Sequence, residues 1–241
     1  MSWIATNTPV RPWRQVRSVA FVVLLTMILA AHWCTAQELQ QGVSVELAVT
    51  QNAVARPDAD RAGALIVAVT HSGNVYLGIE RITPAALAEK RDLFSGAGEE
   101  IFVKADARTP YANVTKVLEA LRTAGVTAPN LLTAQHETPQ PGKLLSPKAL
   151  EVRVAIPLPS GAELTVIQIL NLGERGPRVK INDEDIPWTN LESGLRHFFP
   201  NRSEKVVLLK ADGQLPFTNV VHVIDLCRST GAKVYLVTPA M

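Results

Sequence analysis

The sequence predicts an α/β protein of two layers, in which a single N-terminal transmembrane helix is followed by two tandem ββαβαβ units. Three observations carry this reading. Residues 104–126 (KADARTPYANVTKVLEALRTAGV) recur as residues 210–232 (KADGQLPFTNVVHVIDLCRSTGA) at a constant offset of 106 positions, without a gap. Each copy lies between apolar runs of strand type. Finally, Ser18–Gln37 is a stretch of 20 residues with no charged side chain when His32 is neutral. Two repeats are too few for a solenoid, so the repeat marks a duplicated small domain. The expected organisation is a basic tail over 1–17, a membrane helix over 18–37 and a linker over 38–60. A first domain follows over 61–136, then a Pro-rich linker over 137–150 and a second domain over 151–241.

A chain of 241 residues with 47% hydrophobic and 19% charged residues can bury two cores. Its net charge of +2 gives no reason to expect nucleic acid as a partner. The charge is unevenly placed, because Arg11, Arg14 and Arg17 cluster in a stretch whose first acidic residue is Glu38. A helix over 18–37 would span roughly 30 Å, the thickness of the hydrocarbon core. The arginines before it put the N-terminus in the cytoplasm, with Trp13 and Trp33 as interfacial anchors. The same stretch also fits a cleaved signal peptide: Val19–Ala31 has the length of its apolar region, and Cys34-Thr35-Ala36 is a small-residue cleavage site. Under both readings the bulk of the chain is exported.

Taken in order, Val43, Val45, Leu47 and Val49 alternate like a short strand, and QNAVARPDADR reads as polar linker. Ala64–Thr70 and Val75–Ile79 form a hairpin around His71-Ser72-Gly73-Asn74. Thr83-Pro84 opens a helix running to about Leu93, and Glu100–Lys104 is the next strand. Val114, Val117, Leu118 and Leu121 then make one apolar stripe of a helix that Gly125 stops, with Asn113 as its N-cap. Val220, Val223, Ile224 and Cys227 repeat that stripe, with Asn219 and Gly231 in the matching places. A strand at Asn130–Ala134 closes the first unit. Glu151–Pro157, with Val152, Val154 and Ile156 alternating, opens the second. It continues with Leu164–Leu170, a turn at Gly173–Pro177, the strand Arg178–Ile181, a helix from Ile186-Pro187-Trp188-Thr189 to about Phe199, and the repeated core.

The motifs of common chemistries are missing. SGAGEE and GERGPR lack the spacing and the Lys-Ser/Thr of a phosphate loop. His32, His71, His136, His197 and His222 stand singly, so no metal site is expected. Cys34 and Cys227 form no disulfide framework, and Cys227, at the place of Leu121, reads as a small buried apolar residue. No Ser, Cys or Thr lies in a nucleophile elbow. Asp106 and Asp212 lie at strand C-termini, where α/β folds hold ligands, but an Asp there first serves to cap its own loop. The sequence argues against an enzyme, and neither catalytic residues nor a cofactor are expected.

The stretch Ile101–Val126, with Gly78, Ile79 and Ile82 upstream, resembles the ExbD/TolR family of biopolymer-transport proteins. Its motif residues are Lys104, Asp106, Tyr111, Arg122 and Gly125, repeated as Lys210, Asp212, Phe217, Arg228 and Gly231. The resemblance covers Pro9 to Gln135, and Glu151–Met241 looks like a further exported domain of the same kind. It implies an inner-membrane, single-pass protein with its N-terminus in the cytoplasm and its bulk in the periplasm. The implied partner is an ExbB/TolQ-like channel protein, with a conventional ExbD/TolR-like subunit and TonB-like or cell-wall contacts as further expectations. Family domains pair as dimers, which implies an intrachain pseudo-dimer or a homodimer. The family's membrane aspartate, implied to take up the proton, falls here on Ser18, which cannot titrate. The resemblance therefore implies an accessory subunit that does not carry the proton itself, or an exported scaffold; the alternative is a secreted tandem binding module released after Ala36.

Overall fold

The computed structural model describes residues 42–95, 100–135, 145–154, 164–199 and 205–238. The expected membrane helix over 18–37, Ser18, the basic tail and Cys34 lie outside these residues. Among the described residues, no helix is long and apolar enough to cross a membrane.

The first unit is built on β2 (Ile66–Val69), β3 (Val75–Leu77) and β4 (Glu80–Ile82), an antiparallel meander. It continues with α1 (Pro84–Ala88), α2 (Arg91–Ser95), β5 (Phe102–Ala105), α3 (Tyr111–Thr123), β6 (Asn130–Thr133) and β7 (Lys148–Glu151). Upstream, β1 (Val54–Ala55) pairs with β7, giving the sheet order β1-β7-β6-β5-β2-β3-β4. The second unit contains β8 (Leu164–Asn171), β9 (Pro177–Ile181), β10 (Glu184–Ile186), α4 (Leu191–Phe198), β11 (Val206–Ala211), α5 (Phe217–Ser229) and β12 (Lys233–Leu236), in the order β10-β9-β8-β11-β12. The series β4-β3-β2-β5-β6 and β10-β9-β8-β11-β12 are the same path traced twice.

Each unit therefore opens with three strands, one more than the expected ββαβαβ. The extra strands β4 and β10 have three residues each and follow two-residue loops. At Gly78-Ile79 the glycine takes φ +61°, and at Asn182-Asp183 both φ values are positive, 49° and 71°. Tight loops of this kind preserve the right-handed twist of a hairpin. Each extra strand reads as two charged residues and an isoleucine, Glu80-Arg81-Ile82 and Glu184-Asp185-Ile186, without the apolar run that marks β3. The helix expected from Thr83 to Leu93 is broken into α1 and α2; Thr83 does cap α1, its hydroxyl accepting from the Ala86 N–H at 3.2 Å.

The strand expected to open the second unit is placed differently. β7 ends at Glu151 and runs antiparallel to β6 in the first sheet, while Arg153 bridges to Tyr235 of the second. The chain thus passes from one sheet to the other between Glu151 and Arg153, and Val152 and Val154 are buried. The short strand expected at Val43–Val49 is reduced to single bridges from Leu47 to Asp106 and from Val49 to Ala134, while the stretch read as polar linker is itself structured: Val54–Ala55 forms β1 and Pro57–Asp60 makes a 3₁₀ turn.

One apolar core spans both units. It joins Val67, Val103, Val117 and Leu121 of the first unit to Ile167, Leu209, Val223 and Ile224 of the second. A smaller cluster, formed by Ala59 of the 3₁₀ turn with Ile66, Phe102, Leu132 and Ala149, lies on the opposite face of the first sheet. With both faces covered, β2, β5 and β6 are buried at every position. β8 instead alternates between buried and half-buried residues.

Candidate functional site

The repeated motif lies where the two copies meet. Pro110 and Pro216 face each other as an antiparallel bridge. Around them the backbone bonds come in matched pairs. The Tyr111 N–H donates to Leu215 O at 2.8 Å, and the Phe217 N–H donates to Thr109 O at 2.9 Å. The Ala112 N–H donates to Gly213 O at 2.9 Å, and the Thr218 N–H donates to Ala107 O at 2.8 Å. Exchanging each residue for its repeat counterpart, 106 positions away, turns one bond of a pair into the other. This reciprocity is the signature of a two-fold, isologous interface, here within one chain. Proline is well suited to the crossing point, since it has no N–H to leave unpaired. The rings of Tyr111 and Phe217 stack across the pseudo-axis, 6.5 Å between centroids and 5° from parallel.

Helices α3 and α5 start at Tyr111 and Phe217, with Pro110 and Pro216 at their N-caps. Asn113, expected as a cap, therefore sits inside the first turn, where its amide donates to Thr109 Oγ1 at 3.2 Å. Both helices end in the same way. The Gly125 N–H bonds Arg122 O and the Val126 N–H bonds Leu121 O; the Gly231 and Ala232 N–H groups bond Arg228 O and Cys227 O. Gly125 and Gly231 take φ of +96° and +79°, the left-handed residue that this termination requires.

A second pair of contacts joins the copies through buried carboxylates at equivalent positions, Glu119 and Asp225. Glu119 is held by the Arg122 guanidinium and accepts from the Thr238 hydroxyl of the other copy at 2.6 Å. The hydrogen bond from Arg122 does most to keep this carboxyl below its usual range, with Thr238 helping and burial opposing. Asp225 accepts from the backbone N–H groups of Gln51 (2.9 Å) and Asn52 (2.8 Å), which lead into the first unit. Arg228, the counterpart of Arg122, is half-buried. In the sequence the only trace of these roles is an acidic residue kept beside the apolar stripe in both copies.

The remaining motif residues are divided by their surroundings. Asp106 is buried and accepts from the Arg108 N–H at 3.0 Å, the Arg108 guanidinium at 3.1 and 3.2 Å, and the Glu46 N–H at 3.4 Å. Burial alone would raise its pKa, but these donors hold it below the usual carboxylate value. Asp212 is exposed and accepts from the Gln214 N–H at 2.8 Å, closing its own turn. Lys104 is buried beneath the 3₁₀ turn, where burial raises the Asp60 carboxyl and the Lys104 charge opposes that rise. Lys210 is exposed. Cys227 is fully buried, which pushes its thiol up to about 12.

A cleft of about 590 Å³ opens at the opposite end of β5 and β6 from Asp106 and is lined by Arg56, Arg91, Phe94, Glu100, Asn130 and Glu151, among others. Among the described residues, no group of three or more His, Cys, Asp or Glu side chains is placed to hold a metal ion.

A protein-family model described as biopolymer transport protein ExbD/TolR matches the chain twice, over residues 18–136 and 137–240. No curated protein matches it.

Proposed function

The chain belongs to the ExbD/TolR family of biopolymer transport proteins, and on that premise we propose that it is a membrane-anchored accessory subunit of a proton-gradient-linked transport or envelope-maintenance complex. Residues 18–37 anchor it in the inner membrane, and both repeats lie in the periplasm. It acts through protein or cell-wall contacts rather than catalysis, beside an ExbB/TolQ-type channel.

The observation that carries this reading is the reciprocal bonding of the two copies about Pro110 and Pro216. One chain supplies both halves of a two-fold pair, so one membrane segment serves two family domains. The sequence supports the accessory role, since no carboxylate precedes Glu38 and a hydroxyl at Ser18 cannot exchange a proton in the biological range. Proton carriage then falls to another subunit, a conventional ExbD/TolR-like protein in the same assembly.

The test is the intact mass and membrane partitioning of the natively expressed chain, followed by co-purification. A full-length product that resists alkaline extraction and co-purifies with an ExbB/TolQ-type protein is the expected result. A soluble product beginning at Gln37 would overturn the subunit reading in favour of a secreted tandem module.

A further inference from the structure

The two sheets carry equivalent outer faces that are finished differently. Strand register gives the equivalences. Phe102 lies opposite Ile66 and Asn130, as Leu208 lies opposite Val166 and Tyr235; Lys104 lies opposite Ala68, as Lys210 lies opposite Gln168. Two residues further along β6 and the end of β12, Leu132 corresponds to Val237. In the first sheet Ile66, Ala68, Phe102, Lys104 and Leu132 are each at most 3% exposed. Their counterparts Val166, Gln168 and Leu208 are half-buried, Lys210 is exposed, and Val237 is 37% exposed.

The difference lies in what covers the first face. The 3₁₀ turn Pro57–Asp60 sets Ala59 on Ile66, Phe102 and Leu132, and brings Asp60 within electrostatic reach of Lys104. The cover is thus a short turn with one small apolar residue and one carboxylate for the lysine. At the corresponding place before β8 the sequence reads IPLPSGAE over residues 156–163, with no carboxylate before Glu163. The second face carries three basic side chains and one acid, Asp185, which lies opposite Lys180. Lys210, Gln168 and Lys180 form one cross-strand row, and Arg178 lies in the next, paired with Asp185 at 2.7 Å.

We propose that the outer face of the second sheet is a docking surface for a short carboxylate-bearing segment of a partner protein, which seats a small apolar residue on Val166 and Leu208 and a carboxylate on Lys210. The first copy displays the bound state of the same surface, with its own chain as the occupant. The inference goes beyond the subunit reading and does not rest on it, because it compares two halves of one molecule.

The probe is a fluorescein-labelled peptide of residues 54–64, titrated against the full chain in zwitterionic detergent and read by fluorescence anisotropy. Saturable binding is expected, weakened at least tenfold by Lys210→Glu in the protein or by Asp58→Asn with Asp60→Asn in the peptide. Lys210 is exposed, so the variant keeps its fold, which circular dichroism checks. Absence of saturable binding, or binding indifferent to Lys210→Glu, would overturn the proposal. So would Lys210-dependent binding to phosphatidylglycerol vesicles without peptide binding, which would make the face a membrane contact.

Discussion

Replacing Tyr111 by Phe is expected to stabilise the protein. Tyr111 is 1% exposed, and its hydroxyl has no hydrogen-bond partner. At the equivalent place the other copy has Phe217, stacked against it. A buried hydroxyl without a partner costs roughly 1–3 kcal/mol, and losing its dispersion contacts returns only roughly a few tenths of that. The net gain is about 1–2 kcal/mol, or a rise in Tm of about 2–8 °C for a chain of this size. Phe217→Tyr, the mirror change, should lose a comparable amount. Thermal and denaturant unfolding of the full chain in detergent, wild type against each variant, measures both effects. The pH dependence supplies a second signature. Burial raises the phenol's pKa above its ordinary value of 10.0, so its neutral form is the one the fold favours. Its contribution is complete below about pH 10 and is lost as the pH rises further, because the unfolded chain ionises while the folded one does not. Wild type should therefore lose stability above that pH faster than Tyr111→Phe. A destabilisation by Tyr111→Phe of more than about 0.5 kcal/mol, which would show that the hydroxyl has a partner, or parallel curves above pH 10, which would show that it ionises in the folded chain as it does in water, would refute the reasoning.

Three further outcomes are expected. Glu119→Gln should cost roughly 1–3 kcal/mol in the same unfolding measurement. Because the Glu119 carboxyl is held below its ordinary value of 4.5, its contribution is present above that pH and lost as acid protonates it, so the variant should show a shallower loss below about pH 4.5. Asp225→Ala, which strips the acceptor from the Gln51 and Asn52 N–H groups, should cost roughly 3 kcal/mol and expose the chain near residue 50 to limited proteolysis. Gly213→Val should push the copies apart, since even a Cβ there would lie 3.0 Å from the Ala112 Cβ. A cost of about 1–3 kcal/mol is expected, with new solvent exposure of Cys227 read by thiol labelling.

How much of this was legible in the sequence varies from element to element. Helices α3 and α5 and their glycine stops could be read directly, because a four-residue apolar stripe and a left-handed terminator are local features. The pairing of the copies was implied by the resemblance, yet its chemistry was not. Nothing in TPY or LPF shows that the flanking N–H groups bond across to the other copy, since those partners lie about a hundred residues away. Strands β4 and β10, each two charged residues and an isoleucine, carry no local strand pattern. The segment over residues 51–61 looked like a linker because its residues are mostly polar or small; only the sheet beneath it makes Ala59 a core residue. β7 was misplaced for a related reason: edge pairing depends on which strand is left open, and no local pattern encodes that. Among the motif residues, Asp106 and Asp212 match in sequence, yet one is buried among donors and the other faces water.

Two identical subunits around a symmetry axis share one gene, so every substitution lands on both sides of their interface and must suit both. Fusing the halves removes that constraint. The position of Thr115 holds Val221 in the other copy, and that of Lys116 holds His222, each suited to its own surroundings. The tether also makes the pairing independent of concentration: the halves remain at the local concentration set by the connecting chain, however few copies a cell contains. One half can then specialise in holding the pair together while the other acquires new surface chemistry, a division of labour closed to a symmetric dimer.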